Sequence, residues 1–129
     1  MIPLPMSIAD VLTGAIWPAL LQFPARMRSD EARVMLAAIA LQESGLAHRE
    51  QIGGPAHGLW QFEKGGGVRG VLKHKASAHY ARQLCESCGV PATEAAVYWA
   101  LTENDELAAG FARLLLWTDA QPLPDIDDE

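Results

Sequence analysis

Long apolar runs, a cysteine framework, an excess of basic charge and any series of strand-like segments are all missing from this sequence. Each absence removes a class of protein. The apolar stretch from Val11 to Phe23 is broken by Gly14, Pro18 and Gln22 and falls short of the roughly 20 residues that a bilayer span requires, which excludes stable membrane insertion. Two cysteines, Cys85 and Cys88, are too few for a disulfide scaffold, and their C-x-x-C spacing lacks the strand-helix-strand setting of a thioredoxin-like site. A zinc site would need His74 or His79 to complete four ligands, so a reduced, packed pair is the reading, with no metal. Residues 1-118 hold ten Lys and Arg against eleven Asp and Glu, which gives no electrostatic footprint for nucleic acid. Most of the formal charge of -6 comes from Asp119, Asp125, Asp127, Asp128 and Glu129. Met1 to Ser7 carries no secretory signal pattern, and neither a G-x-S-x-G elbow nor a G-x-x-x-x-G-K-[ST] phosphate loop is present.

What remains is a helical sequence of 129 residues, half of them apolar, read as one domain over 1-118 followed by an acidic, proline-containing tail over 119-129. Ile8, Leu12 and Ile16 recur in helical phase from Ser7 to Leu21, disturbed near Pro18. Ser29 is placed to cap a second helix with Asp30 and Glu31 in its first turn, a broad apolar face through Val34, Leu36, Ile39, Ala40 and Leu41, and Gly45 as its stop. Seven glycines between positions 47 and 70 predict a loop or short irregular strands around Leu59-Trp60-Gln61-Phe62. Val71 to Cys88 reads as one helix, Pro91 opens another that ends near Leu101, and Thr102 or Asn104 caps Glu106 to Trp117. The expectation is about five helices around a glycine-rich insertion, with Trp17, Trp99 and Trp117 in the core and the tail beyond Pro122 and Pro124 solvated.

Glu43 stands out against this frame. It shares a side of its helix with Leu36, Ile39 and Ala40, so desolvation and the negative end of the helix dipole should both raise its pKa. An upward-tuned carboxylic acid is what a glycosidase uses to protonate a leaving sugar oxygen. The plain alternative is pairing with Arg33, His48 or Arg49 at the helix edge.

Q-E-S-G-L at 42-46, followed after a short polar loop by G-L-W-Q-F at 58-62, resembles the signature of lytic transglycosylases and goose-type lysozymes in the lysozyme-like superfamily. The longer H-R-E-Q-I-G-G-P-A-H-G-L-W-Q-F-E at 48-63 is also similar to uncharacterised proteins of tailed bacteriophages. The resemblance implies a mainly α, lysozyme-like domain with a glycine-rich loop or short β insertion by an active-site groove. It implies Glu43 as general acid, Ser44 beside it in support or in contact with substrate, Gly58 and Leu59 as the turn, Trp60 at the usual methionine position and Gln61 as the groove glutamine. The A-Y-N-x-G segment that the family commonly places later is absent, and Tyr98 in V-Y-W-A is its nearest substitute.

The implied substrate is peptidoglycan, cut between N-acetylmuramic acid and N-acetylglucosamine without a cofactor. Glu63 occupies the position of a second acid in goose-type lysozymes. Facing Glu43 at roughly 6.5–9.5 Å it would activate water for inverting hydrolysis. Pointing away, it would leave Glu43 to form a 1,6-anhydro product with help from the substrate's own acetamido group. Glu50 reads as a solvated acid. Trp60 and Phe62 are sugar platforms or core, and Gln61 suits an N-acetyl or hydroxyl group. Lys64, Arg69, Lys73 and Lys75, with His57, His74 and His79 nearby, form either a solvated face or contacts to the carboxylates of the wall. The implied setting is a phage protein made in the host cytoplasm and acting at the wall after release or within a virion, beside other virion or lysis proteins. The alternative from another class is a lysozyme-like structural or wall-binding component without turnover.

Overall fold

A computed structural model describes residues 1–119 and 123, and its secondary structure is helical. The acidic tail predicted beyond Asp119 lies, apart from Leu123, outside the described residues. Contiguous turns group into six helices among the described residues: α1 over 8–20, α2 Asp30–Ser44, α3 over 64–73, α4 Ala78–Cys88, α5 Glu94–Ala100 and α6 Asp105–Trp117, with a 3-10 turn at Ala25–Met27. None is long and apolar enough to cross a membrane.

The caps explain most of the boundaries. Ser7 and Asp10 close a reciprocal capping box at the start of α1. Its middle, Leu12–Ile16, widens into π turns directly before Trp17-Pro18. Proline offers no N–H and its ring crowds the carbonyl four residues back, so the wider turn lets one continuous rod pass the position that should break it. The Ser29 hydroxyl accepts from the Ala32 N–H at 3.1 Å to open α2, and Gly45, at φ 64°, ends it. The Asn104 side chain accepts from Leu107 N–H at 2.9 Å to open α6. Thr93, rather than Pro91, caps α5.

Helix α6 is the axis of the core. Residues Leu107 through Leu114 are all buried, and α6 packs against α1, α2, α3 and α4. Gly110 permits the close crossing with α4, since a Cβ there would meet Leu84 Cδ2 at 2.2 Å. The single helix expected from Val71 to Cys88 is two, because His74 turns extended and its ring Nδ1 accepts from Ala76 N–H at 3.0 Å while Ser77 Oγ donates to Val71 O at 2.6 Å.

The β insertion expected by the groove does not form, and the fold class is corrected accordingly. Among the described residues there is no strand, only isolated antiparallel bridges, Glu50 with His57 and His57 with Phe62. Left-handed backbone at Gly58 and Gln61 reverses the chain within four residues, so each pairing closes after one residue and cannot propagate into a ladder. The glycines expected in the loop instead begin α3, as π turns from Lys64 to Val68. Two tryptophans assigned to the core are not there: Trp99 is 61% exposed and Trp17 38% exposed, the latter covered on one face by Arg33 at 5.0 Å.

Candidate active-site groove

The end of α2 and the loop that follows it build an open groove of about 300 Å³. Glu43, in the last turn of α2, lines it together with His48, Glu50 and Gln61. The two sequence segments that carry the resemblance are therefore brought to one concave surface. Glu43 itself is exposed, and the desolvation expected for it is absent. The reason is positional: by its last turn α2 has run past the core, and the buried place there belongs to Ser44. Ser44 Oγ donates to Ala40 O at 2.9 Å and accepts from Leu46 N–H at 3.3 Å. That spends its hydroxyl on the helix terminus, where it shapes the turn that presents Glu43.

The opposite wall is the loop from Arg49 to Phe62. Gln51 N–H donates to Ala56 O at 2.8 Å, Gly58 N–H to Arg49 O at 2.6 Å, and His57 and Phe62 exchange backbone bonds at 2.8 and 2.9 Å. Arg49 anchors it from outside, with Nε and Nη2 donating to the two Asp105 carboxylate oxygens at 2.8 and 2.7 Å and Nη2 also reaching Ile2 O at 2.7 Å. Both side chains are about nine-tenths buried, and the hydrogen bond to Asp105 pushes the Arg49 pKa above its ordinary value against the opposing pull of burial. Sequence reasoning missed this fastener, because nothing local to Arg49 points to an acid 56 residues away.

Gln61 holds a left-handed φ of 54° and donates from Nε2 to Gly58 O at 2.8 Å, which leaves its side-chain oxygen for a ligand. It borders both this groove and a neighbouring depression of about 190 Å³ formed with Glu63, Gly67 and Leu115. Glu63 is exposed there and does not line the groove of Glu43. The acid that lines the same groove as Glu43 is Glu50, which is exposed to solvent as the sequence reading expected.

The other expected contacts serve the scaffold. Leu59 is fully buried. Trp60 is 4% exposed with its indole N–H on Leu36 O at 2.9 Å, and Phe62, also 4% exposed, meets Phe111 edge-on at 6.4 Å; both line the smaller depression. Gly58, at φ 81°, passes so near the end of α5 that a Cβ would lie 3.1 Å from Leu101 O. Tyr98 does not line the groove: its hydroxyl donates to Pro55 O and its ring stacks on buried His57 at 3.7 Å. His57 Nδ1–H donates to Tyr98 O at 2.9 Å, which fixes its tautomer. The basic run is partly neutralised, since Arg69 and Lys73 meet Glu94 at 2.9 and 3.9 Å, and the Arg69 hydrogen bond holds Glu94 below the usual carboxylate range.

Elsewhere, α1 and α2 enclose a larger groove of about 780 Å³ lined by Ile8, Leu12, Trp17, Val34 and Leu41. Its charged residues, Asp30 and Arg33, pair with each other, leaving no free group for proton transfer. Among the described residues no three His, Cys, Asp or Glu side chains converge as metal ligands. Cys85 and Cys88 are free thiols, and burial first, then Cys88, pushes the Cys85 pKa up to about 11. No protein-family model, curated protein or solved structure matches the chain.

Proposed function

We propose that this protein is a peptidoglycan glycosidase that cuts the β-1,4 bond between N-acetylmuramic acid and N-acetylglucosamine, with Glu43 as general acid. The observation that carries the reading is that Glu43 and Gln61, from the two separated segments that resemble lytic transglycosylases and goose-type lysozymes, line one open groove. An open groove admits a polymer, whereas an enclosed cavity would admit only its fragments. Exposure of Glu43 in the free chain is compatible with this chemistry, because a bound glycan strand itself removes water from the acid.

The second carboxylate is reassigned from Glu63 to Glu50. In the hydrolytic step Glu50 takes a proton from water as the water oxygen bonds to the anomeric carbon. The glycosidic C–O bond breaks with inversion and Glu43 delivers its proton to the leaving oxygen. In the anhydro route the substrate's own acetamido oxygen bonds to the anomeric carbon as the glycosidic bond breaks and Glu43 gives its proton to the leaving oxygen. The ionised Glu43 then takes the proton of the 6-hydroxyl as that oxygen displaces the acetamido group, which yields a 1,6-anhydro sugar. A second reading, a wall-binding component without turnover, is favoured by the same exposure of Glu43, since nothing in the free chain shields that acid from water.

The test is incubation of the chain and of Glu43→Gln with insoluble peptidoglycan, followed by mass spectrometry of the soluble muropeptides. Reducing ends released by the unmodified chain and reduced about 100-fold or more by Glu43→Gln are expected. Products lighter by one water assign the anhydro outcome. Wall pulldown without any release supports the binding reading, and release untouched by Glu43→Gln overturns the assignment of the acid.

A further inference from the structure

Helix α2 is apolar on two sides. Ala32, Leu36, Ala37 and Ala40 are buried towards the core, while Val34, Ala38 and Leu41, spaced four and then three residues apart, form a second stripe that is exposed. Val34 is 52% exposed and Leu41 49%. A helix with apolar residues on opposite sides is normally covered on both, and alternating steps of four and three make the seam by which one helix packs on another. The stripe lines the large groove between α1 and α2.

Helix α1 supplies the facing wall. Arg33 lies over Trp17 at one end and Met6 N–H donates to Leu46 O at the other, so the two helices run antiparallel, with Ile8, Leu12 and Trp17 along the far side of the groove. Ile8, Trp17, Val34 and Leu41 together leave roughly 400 Å² of apolar surface open to water, close to the apolar share of the about 800 Å² that each partner contributes to a stable dimer. The polar side chains of the groove are already satisfied: the Thr13 hydroxyl donates to Ala9 O at 2.8 Å, and Asp30 pairs with Arg33. That leaves no free group to orient a small molecule and no net charge to select an acidic or basic peptide.

The stripe fits a copy of itself. Val34 and Leu41 stand the same number of residues to either side of Ala37 and Ala38, whose short side chains let a second helix come close. We propose that the face formed by α1 and α2 joins two copies of the chain about a two-fold axis at Ala37 and Ala38, with α2 packed antiparallel on α2. Val34 of each copy then lies beside Leu41 of the other, the self-complementarity that a two-fold interface demands. Because Asp30 and Arg33 cancel within each copy, the groove brings no net charge to the contact. Glu43 does not line this groove, so the pairing stands apart from the proposed reaction.

The test is sedimentation equilibrium of the full chain from about 1 to about 500 μM. A mass that rises from the 14.0 kDa of one chain to twice that value, with a dissociation constant in the micromolar range, is expected. Val34→Lys and Leu41→Lys put an ammonium at exposed helical positions, where the circular dichroism of the unmodified chain should persist. Each is expected to weaken the dimer about 100-fold or more, because its charge would be buried without a partner. Trp99→Ser removes an exposed tryptophan of α5, outside this groove, and should leave the dimer unchanged. A chain that stays monomeric across the range overturns the proposal and gives the face to a different protein or to the chain's own last residues. A dimer that tolerates both lysines, or that Trp99→Ser dissociates equally well, overturns it too.

Discussion

At the scale of single residues, Glu43 and Glu50 share a groove from which Glu63 is absent, and that placement makes opposite predictions for two similar substitutions. Glu50→Gln is expected to abolish reducing-end products while leaving wall binding intact, and Glu63→Gln to leave the product pattern of the unmodified chain. Muropeptide mass spectra of the two variants check this, and the reverse ranking would return the second acid to position 63. Ser44→Ala removes a buried hydroxyl with two hydrogen bonds, so its expected cost is about 1–2 kcal/mol of unfolding free energy. Gly58→Ala must adopt φ 81° with its methyl group 3.1 Å from a backbone oxygen, and a loss of about 2 kcal/mol or more is expected. Urea melts of both measure these costs. The motif pointed to positions 43 and 61, which line one groove, because Q-E-S-G-L and G-L-W-Q-F are local patterns. It did not show that Ser44 and Trp60 are occupied in holding the backbone, since a hydroxyl or indole reads the same in sequence whether its partner is a substrate or a carbonyl.

At the scale of elements, caps and punctuation were legible and long-range fasteners were not. Ser29, Gly45 and Asn104 bound their helices as local chemistry requires. The continuity of α1 through Pro18 and the break at His74 were hidden, because each depends on a choice between turn geometries that periodicity does not distinguish. The Arg49–Asp105 pair joins the groove loop to the first turn of α6, and removing one partner leaves the other buried and uncompensated. Asp105→Asn is therefore expected to cost roughly 3–5 kcal/mol and to disorder the Glu50 wall before the helices melt. Deuterium uptake over residues 49–57 would show it. In α4, the Cys85 thiol titrates at about 11 when folded against 9.0 for an ordinary thiol, so the folded state binds its proton more tightly. Its contribution is complete below pH 9 and is lost as pH rises towards 11, a fall of roughly 2 to 3 kcal/mol. Denaturation of the reduced protein across that window, with Cys85→Ala flattening the decline, is the check.

At the scale of the whole molecule, the helical class was readable from composition and 3.6-residue periodicity, while the short strands that the glycine-rich stretch and the resemblance both offered beside a loop do not form among the described residues. The residues between Arg49 and Phe62 do pair, Glu50 with His57 and His57 with Phe62, but the left-handed turns at Gly58 and Gln61 leave no length for a ladder. The sequence also hid which tryptophans stay outside. Trp17 and Trp99 sit on helices whose buried positions are taken by other residues, Val11, Ala15, Ile16, Ala19 and Leu20 in α1 and Val97 in α5, and a helix stripe alone does not say how close its neighbour comes.

Arg49 grips Ile2 as well as Asp105, so one guanidinium ties the beginning of the chain, the middle loop and the final helix into a single knot behind the groove. Mechanical tension applied at the amino terminus would thus be transmitted straight to the wall that faces Glu43. A partner fused ahead of Met1 would load the loop that faces Glu43 without touching any residue that lines the groove.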